Sequence, residues 1–272
     1  MRFFCKAPTA TVTRAVAAAS ILLWLGMFWT KPSVALEQLK VVRGVLILEG
    51  KIEPGDYISV HNFLSEASNY KKMTGEVFLA SPGGNVSEAL GIGYLIRHLR
   101  LSTDAPSRPP PTKRSSGSEV ILSTDLTDRR HYQCVSACFL LYVAGVYRDF
   151  IWAGRLGIHH PIQRKPVGAT EKEASIAAVD MRNKLKSYFE EMNVPNKYLD
   201  LMYSVPPNEL RWITQSEFNA DLNGYIPEVR LLLDARCNAR VGAEQSNEIR
   251  RCVAQVKTEL RMEAWRKIFR RD

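Results

Sequence analysis

The chain has 272 residues, 46% of them hydrophobic and 24% charged, which is enough for one substantial domain with its own core and too apolar for a disordered chain. Its formal net charge is +9, but Arg2, Lys6, Arg14 and Lys31, with no acid among the first 35 residues, supply four of those charges. The remaining excess is mild and mixed with acids, so no nucleic-acid footprint is read from it.

Arg2, Lys6 and Arg14 precede "AVAAASILLWLGMFWT", a run without charge, and "SVA" at 33–35 offers a small-x-small cleavage site. A basic start, a short apolar run and such a site describe a secretory signal. The run falls short of the about 20 residues of a bilayer span, although an uncleaved anchor stays open. Residues 1–35 are therefore expected to be a signal peptide or signal anchor. The body is then exported, to the periplasm, soluble or held at the inner membrane by this segment.

"VVRGVLILEGKI" (41–52) reads as a strand ending at the turn "EPGD", and "YISVHNFLSEASNY" (57–70) has helical spacing. "TGEVFLA" (74–80) is a buried strand, and after "SPGG" comes a helix in which Val86, Ala89, Leu90, Tyr94 and Leu99 share a face. Strand, helix, strand, helix predicts an α/β fold with a parallel sheet and crossover helices. Residues 101–130, rich in Pro, Ser and charge, read as a mobile surface insertion. "HYQCVSACFLLYVAGVYRDF" restores regularity, "GRLGIHHP" is a short strand, and helices follow near 170–192 and 195–204. The end, 244–270, sets Ile249, Val253, Val256, Leu260, Ala264 and Ile268 on one face of a helix. Such a helix packs on the body or lies on an anionic membrane. The expected organisation is a domain over 36–235 and a helical segment over 236–272.

Beyond Cys5 the chain has four cysteines, an even count that suits disulfides in an exported protein. Cys237 and Cys252 are expected to pair, because the polar stretch between them contains a Gly and can turn back. Cys134 and Cys138 bridge readily only if Cys134 lies on a strand ahead of the helix. With His131 they spell H-x2-C-x3-C, which is not a usual zinc spacing and lacks a fourth ligand, so no metal is expected.

Three stretches concentrate the chemistry. In "SPGG", Gly83 and Gly84 sit where a strand turns into a helix, and uncovered N–H groups there can hold a carbonyl oxygen as it gains charge; the bland alternative is a plain turn. In "CVSAC", Ser136 is either an N-cap or a nucleophile at a helix mouth, with the Ala137 N–H as a second oxyanion donor. There is no G-x-S-x-G pattern. In "IHHP", His159 and His160 point to opposite faces of a strand, so one of them can serve a serine as base.

The order "GKIEPGDYISVHNFL", "ASPGGNVSEALGIGYLI", "SACFLLYVAG", "GIHHP" resembles the proteolytic subunit of the Clp protease and, more broadly, the Clp/crotonase superfamily. The resemblance covers roughly residues 40–100 and 131–228. It implies a spiral of parallel βαβ units with flanking helices. In that family a catalytic serine precedes an apolar run ending in Ala-Gly nine residues on, a spacing that Ser136 and Gly145 keep. The family's histidine maps to His159, and its oxyanion donors map to Gly83, Gly84 and Ala137. Its acid, two residues before an aromatic-Leu-Ser stretch, maps through "NELRWIT" to Leu210, which cannot orient a histidine. Glu209 is the neighbouring candidate and Asn208 the next. The group is thus a rewired triad with Glu209, a Ser136/His159 dyad, or a decayed site.

The resemblance implies a serine hydrolase, most simply a peptidase acting on peptides or proteins, and a homo-oligomer. The N-terminal segment makes it exported, no cofactor is expected, and the mixed charge speaks against nucleic acid. The chain has no ATPase motif and as an exported protein meets little ATP, so no ATPase partner is expected. The alternative is an inactive Clp-like fold serving as a periplasmic interaction module. An acyl-CoA enzyme leaves Ser136 and His159 without a role, and a Ser–Lys arrangement offers only Lys165, which has no motif around it.

Overall fold

The computed structural model describes residues 36–105, 133–150, 156–162, 168–238 and 246–270. The candidate signal at 1–35, residues 106–130 of the expected insertion, His131 and Lys165 lie outside the described residues.

The first strand pair is a hairpin. β1 (Leu36–Val42) turns through Arg43 and Gly44, both at positive φ (49° and 89°), into β2 (Val45–Gly50), which runs antiparallel to it. The stretch read as one strand over 41–52 is thus split, because two consecutive left-handed residues match the twist of a tight hairpin. From β2 the chain passes through α1 (Asp56–Ser65) and α2 (Ala67–Lys71) to β3 (Glu76–Ala80), parallel to β2. It returns through α3 (Val86–His98) to β4 (Ser102–Ala105), parallel to β3.

β4 corrects the expected insertion: its first residues are sheet. "STDA" looks like loop, but Ser102 N–H donates to the Gly75 carbonyl (2.8 Å) and the Thr103 hydroxyl to the Tyr142 carbonyl (2.7 Å). The strand is held by its backbone ladder and by the Thr103 hydroxyl, while the buried Ser102 hydroxyl has no partner among the described residues.

After the undescribed stretch, β5 (Cys134–Val135) enters α4 (Ala137–Val143), and β6 (Tyr147–Phe150) pairs parallel with β4. β7 (Leu156–Ile158) precedes α5 (Glu171–Glu191) and α6 (Lys197–Ser204). Then come β8 (Arg211–Trp212), α7 (Gln215–Glu217), a π-helical turn over Phe218–Leu222, β9 (Gly224–Tyr225), α8 (Pro227–Cys237) and α9 (Asn247–Phe269).

The fold is α/β with a mixed rather than wholly parallel sheet, in the order β1-β2-β3-β4-β6-β9. The inner strands β2, β3, β4 and β6 are parallel, while β1 and β9 are antiparallel edges. A second sheet has the order β5-β7-β8. All seven residues of α4 are buried, and the helix packs against α3 and strands of both sheets. Helix α9 packs on the body: Trp265 Nε1 donates to the Leu64 carbonyl (2.8 Å) and buried Arg261 donates to the Tyr70 carbonyl (3.1 Å). The border expected at 235/236 falls inside α8, whose Val229, Leu233 and Cys237 share a small apolar cluster with Val256 of α9.

Candidate functional site

Ser136 stands between β5 and α4 with φ 57° and ψ −124°, a conformation that costs a residue with a Cβ of order 1–3 kcal/mol. Its hydroxyl makes no capping hydrogen bond, so the side chain does not do the work of an ordinary N-cap. The backbone is instead held from outside: Ser136 N–H donates to the Gly157 carbonyl (2.8 Å) and Phe139 N–H to the Ser136 carbonyl (3.0 Å). A disulfide joins Cys134 on β5 to Cys138 in the first turn of α4, across a Cα–Cα distance of 5.1 Å. Because Cys134 lies on the strand, the bridge spans the turn and brackets Ser136. The Ala137 N–H, first in α4, has no intrahelical acceptor by virtue of its position.

"SPGG" runs alongside this turn. Ser81 pairs with Cys134, accepting from Val135 N–H (3.1 Å) and donating its own N–H to the Gln133 carbonyl (2.8 Å). On the other side, Ile52 N–H donates to the Gly83 carbonyl (2.9 Å) and Asn85 N–H to the Ile52 carbonyl (2.8 Å). In such a parallel bridge the middle residue, Gly84, turns its own N–H away from Ile52. Among the described residues that N–H has no acceptor, whereas the Gly83 N–H donates to the Ser81 hydroxyl (3.0 Å). Of the two expected glycine donors, Gly84 is therefore the uncovered one. A Cβ on Gly83 would stand 2.6 Å from Ser136 Cβ and 3.0 Å from Ala137 N, so only a glycine lets the two turns approach this closely. Ser81 was not singled out from the sequence, although a serine two residues ahead of Gly83 is the signal for its role.

His159 follows directly on β7, which runs parallel to β5 with Val135 opposite Gly157. The two C-terminal strand ends thus bring Ser136 and His159 onto one rim. Among the described residues no hydrogen bond links them, and such bonds are often long in unliganded sites. His160 lies on the other side, its ring 4.7 Å from that of Tyr203. β8 pairs antiparallel with β7, Trp212 opposite Gly157 and Arg211 opposite Ile158. The ladder ends there: His160 N–H donates to the Val205 carbonyl (3.2 Å), and Glu209 N–H turns back to the Pro206 carbonyl (3.0 Å). The Leu210 side chain lies over Gly157, and Glu209 is exposed. His159 Nδ1 is buried without a hydrogen-bond partner among the described residues. Burial lowers the His159 pKa below its ordinary value of 6.5, so the ring is a neutral base at physiological pH.

Cys237 at the end of α8 and Cys252 in α9 form a second disulfide, with Cα atoms 5.6 Å apart. Two bridges suit a chain exported to an oxidising compartment. Among the described residues, no helix is long and apolar enough to cross a membrane, and no group of His, Cys, Asp and Glu is arranged to hold a metal. Cys134 and Cys138, joined to each other, offer no thiolate. No protein-family model matches the chain, and no curated protein matches it.

Proposed function

We propose that the protein is an exported serine hydrolase of Clp/crotonase-like fold, most simply a peptidase, working in the periplasm. The observation that carries this reading is Ser136. It occupies a positive-φ turn between strand and helix, and its hydroxyl is free of capping duty. Strain of this kind persists where the surrounding structure over-determines it, which is characteristic of reacting groups. In this reading Ser136 Oγ attacks a peptide carbonyl. His159 takes the hydroxyl proton and returns it to the leaving amine. The N–H groups of Gly84 and Ala137 hold the oxyanion at the mouth of α4. In this reading the pair acts as a dyad, and the exposed Glu209 is not required for turnover.

A fluorophosphonate probe applied to the full-length chain tests the reading. Wild type is expected to label covalently, Ser136→Ala not at all, and His159→Ala at least about 100-fold more slowly. Absence of labelling in folded, oxidised wild type would overturn it.

One observation favours a second reading, an inactive interaction module that assembles as a homo-oligomer. The buried Nδ1 of His159 goes unpartnered among the described residues. This reading predicts no labelling in any variant.

A further inference from the structure

Two arginines are buried on the face of the large sheet away from α9. Arg97 of α3 is 6% exposed and Arg148 of β6 is 4% exposed. Both guanidinium groups donate to one acceptor, the Met192 carbonyl just past α5. Arg97 also donates to the Val143 carbonyl (3.3 Å) and to Met192 Sδ (3.2 Å). Among the described residues neither has a carboxylate within ion-pair distance, and Arg97 Nη1 and Arg148 Nε are buried without hydrogen-bond partners. Burial lowers both pKa values to about 10, so both groups remain charged at neutral pH. One shared carbonyl does not neutralise two cations, and an uncompensated buried charge is costly.

Arg148 lines a cavity of about 380 Å³ between β6, β9 and the start of α8, within the size range of small-molecule sites. Its other walls include Arg230, Asn193, Asn223, Tyr225 and Leu231. Asp221 also reaches the cavity, but Lys197 (2.7 Å) and the Tyr198 hydroxyl (2.8 Å) already hold its carboxylate. The cavity therefore joins a buried guanidinium that has no carboxylate partner among the described residues, and a second arginine, to an aliphatic wall that includes Pro227 and Leu231. We propose that it binds a small organic acid, with the carboxylate against Arg148 and Arg230 and the hydrocarbon part against Pro227 and Leu231. A guanidinium fork suits a carboxylate better than any neutral head group.

Calorimetric titration of the full-length chain with sodium butyrate tests this. Saturable binding is expected, tighter for hexanoate than for acetate, and absent for 1-butanol. Arg230→Gln, an exposed change that leaves the core intact, is expected to weaken binding about tenfold. Arg148→Met is expected to abolish it while circular dichroism stays native; should that variant fail to fold, Arg230→Gln decides. Ser136→Ala is expected to bind as wild type does, since the cavity has no share in the serine site. No saturable binding, equal binding of 1-butanol, or butyrate binding undiminished by Arg230→Gln would each overturn the proposal.

Discussion

His159 sits at the end of a short buried strand, and its surroundings decide how it titrates. Burial holds its pKa below 6.5, so the neutral base form predominates at neutral pH and is lost in acid. Fluorophosphonate labelling is therefore expected to rise with pH through a midpoint below 6.5 and to stay level to pH 8. Leu210→Asp sets a carboxylate over Gly157, two residues from His159, and favours imidazolium, so the midpoint should move up by roughly one unit. Glu209→Gln should leave the profile where it is, because Glu209 is exposed. An unmoved midpoint in Leu210→Asp would show that a carboxylate at position 210 does not reach the His159 ring. Ser136, His159 and the glycines are legible in the sequence because each depends on a few neighbouring residues. What approaches His159 from the other side is less so, since the segment leading into β8 arrives about fifty residues later and is placed by tertiary packing.

Among the elements, the turn at "SPGG" joins the hairpin side of the molecule to the serine side. A Cβ on Gly84, whose φ is 143°, would lie 2.0 Å from the Ile52 carbonyl oxygen, a backbone atom that cannot swing away. Gly84→Ala is therefore expected to lower stability by about 3 kcal/mol, read from urea unfolding of the oxidised chain. A loss under about 0.5 kcal/mol would mean that the turn relaxes and does not fix the neighbouring N–H groups. The helices α3, α5, α6 and α9 follow from apolar spacing and caps, such as Asn85 accepting from Glu88 N–H and the reciprocal Thr170–Glu173 box. β1 with β2 and β4 are harder to read. A hairpin inside an apolar stretch looks like one strand, and a strand spelled "STDA" carries no apolar pattern.

At the scale of the whole molecule, α9 closes over an acidic patch on the large sheet. Asp104 and Asp149 stand directly opposite each other on β4 and β6, with Glu76 and Lys257 in the same electrostatic group. Burial first, then Asp149 and Glu76, push the Asp104 pKa up to about 7, while Lys257 opposes them. Between its ordinary 3.8 and about 7, the unfolded chain releases this proton and the folded chain keeps it. This contribution to stability thus falls as pH rises through that window and is level above it. Asp104→Asn removes the penalty. It should be more stable than wild type by about 1–2 kcal/mol at pH 8, with the gap closing toward pH 4, in paired urea titrations. A constant gap at both pH values would assign the effect to packing instead.

The sequence by itself determined the α/β class, the places where strands turn into helices, and the residue types at the candidate site, because these rest on local periodicity and turn chemistry. Its Cys237–Cys252 pairing also needed only a gap able to turn back. Tertiary structure alone decided that the sheet is mixed, that Cys134 lies on a strand and can bridge to Cys138, and that Leu210 lies over Gly157. It alone brought Arg97 and Arg148 to one carbonyl beside a cavity. Each of these depends on contacts between residues far apart in the chain, whose register is set by how the elements pack rather than by any pattern along one of them.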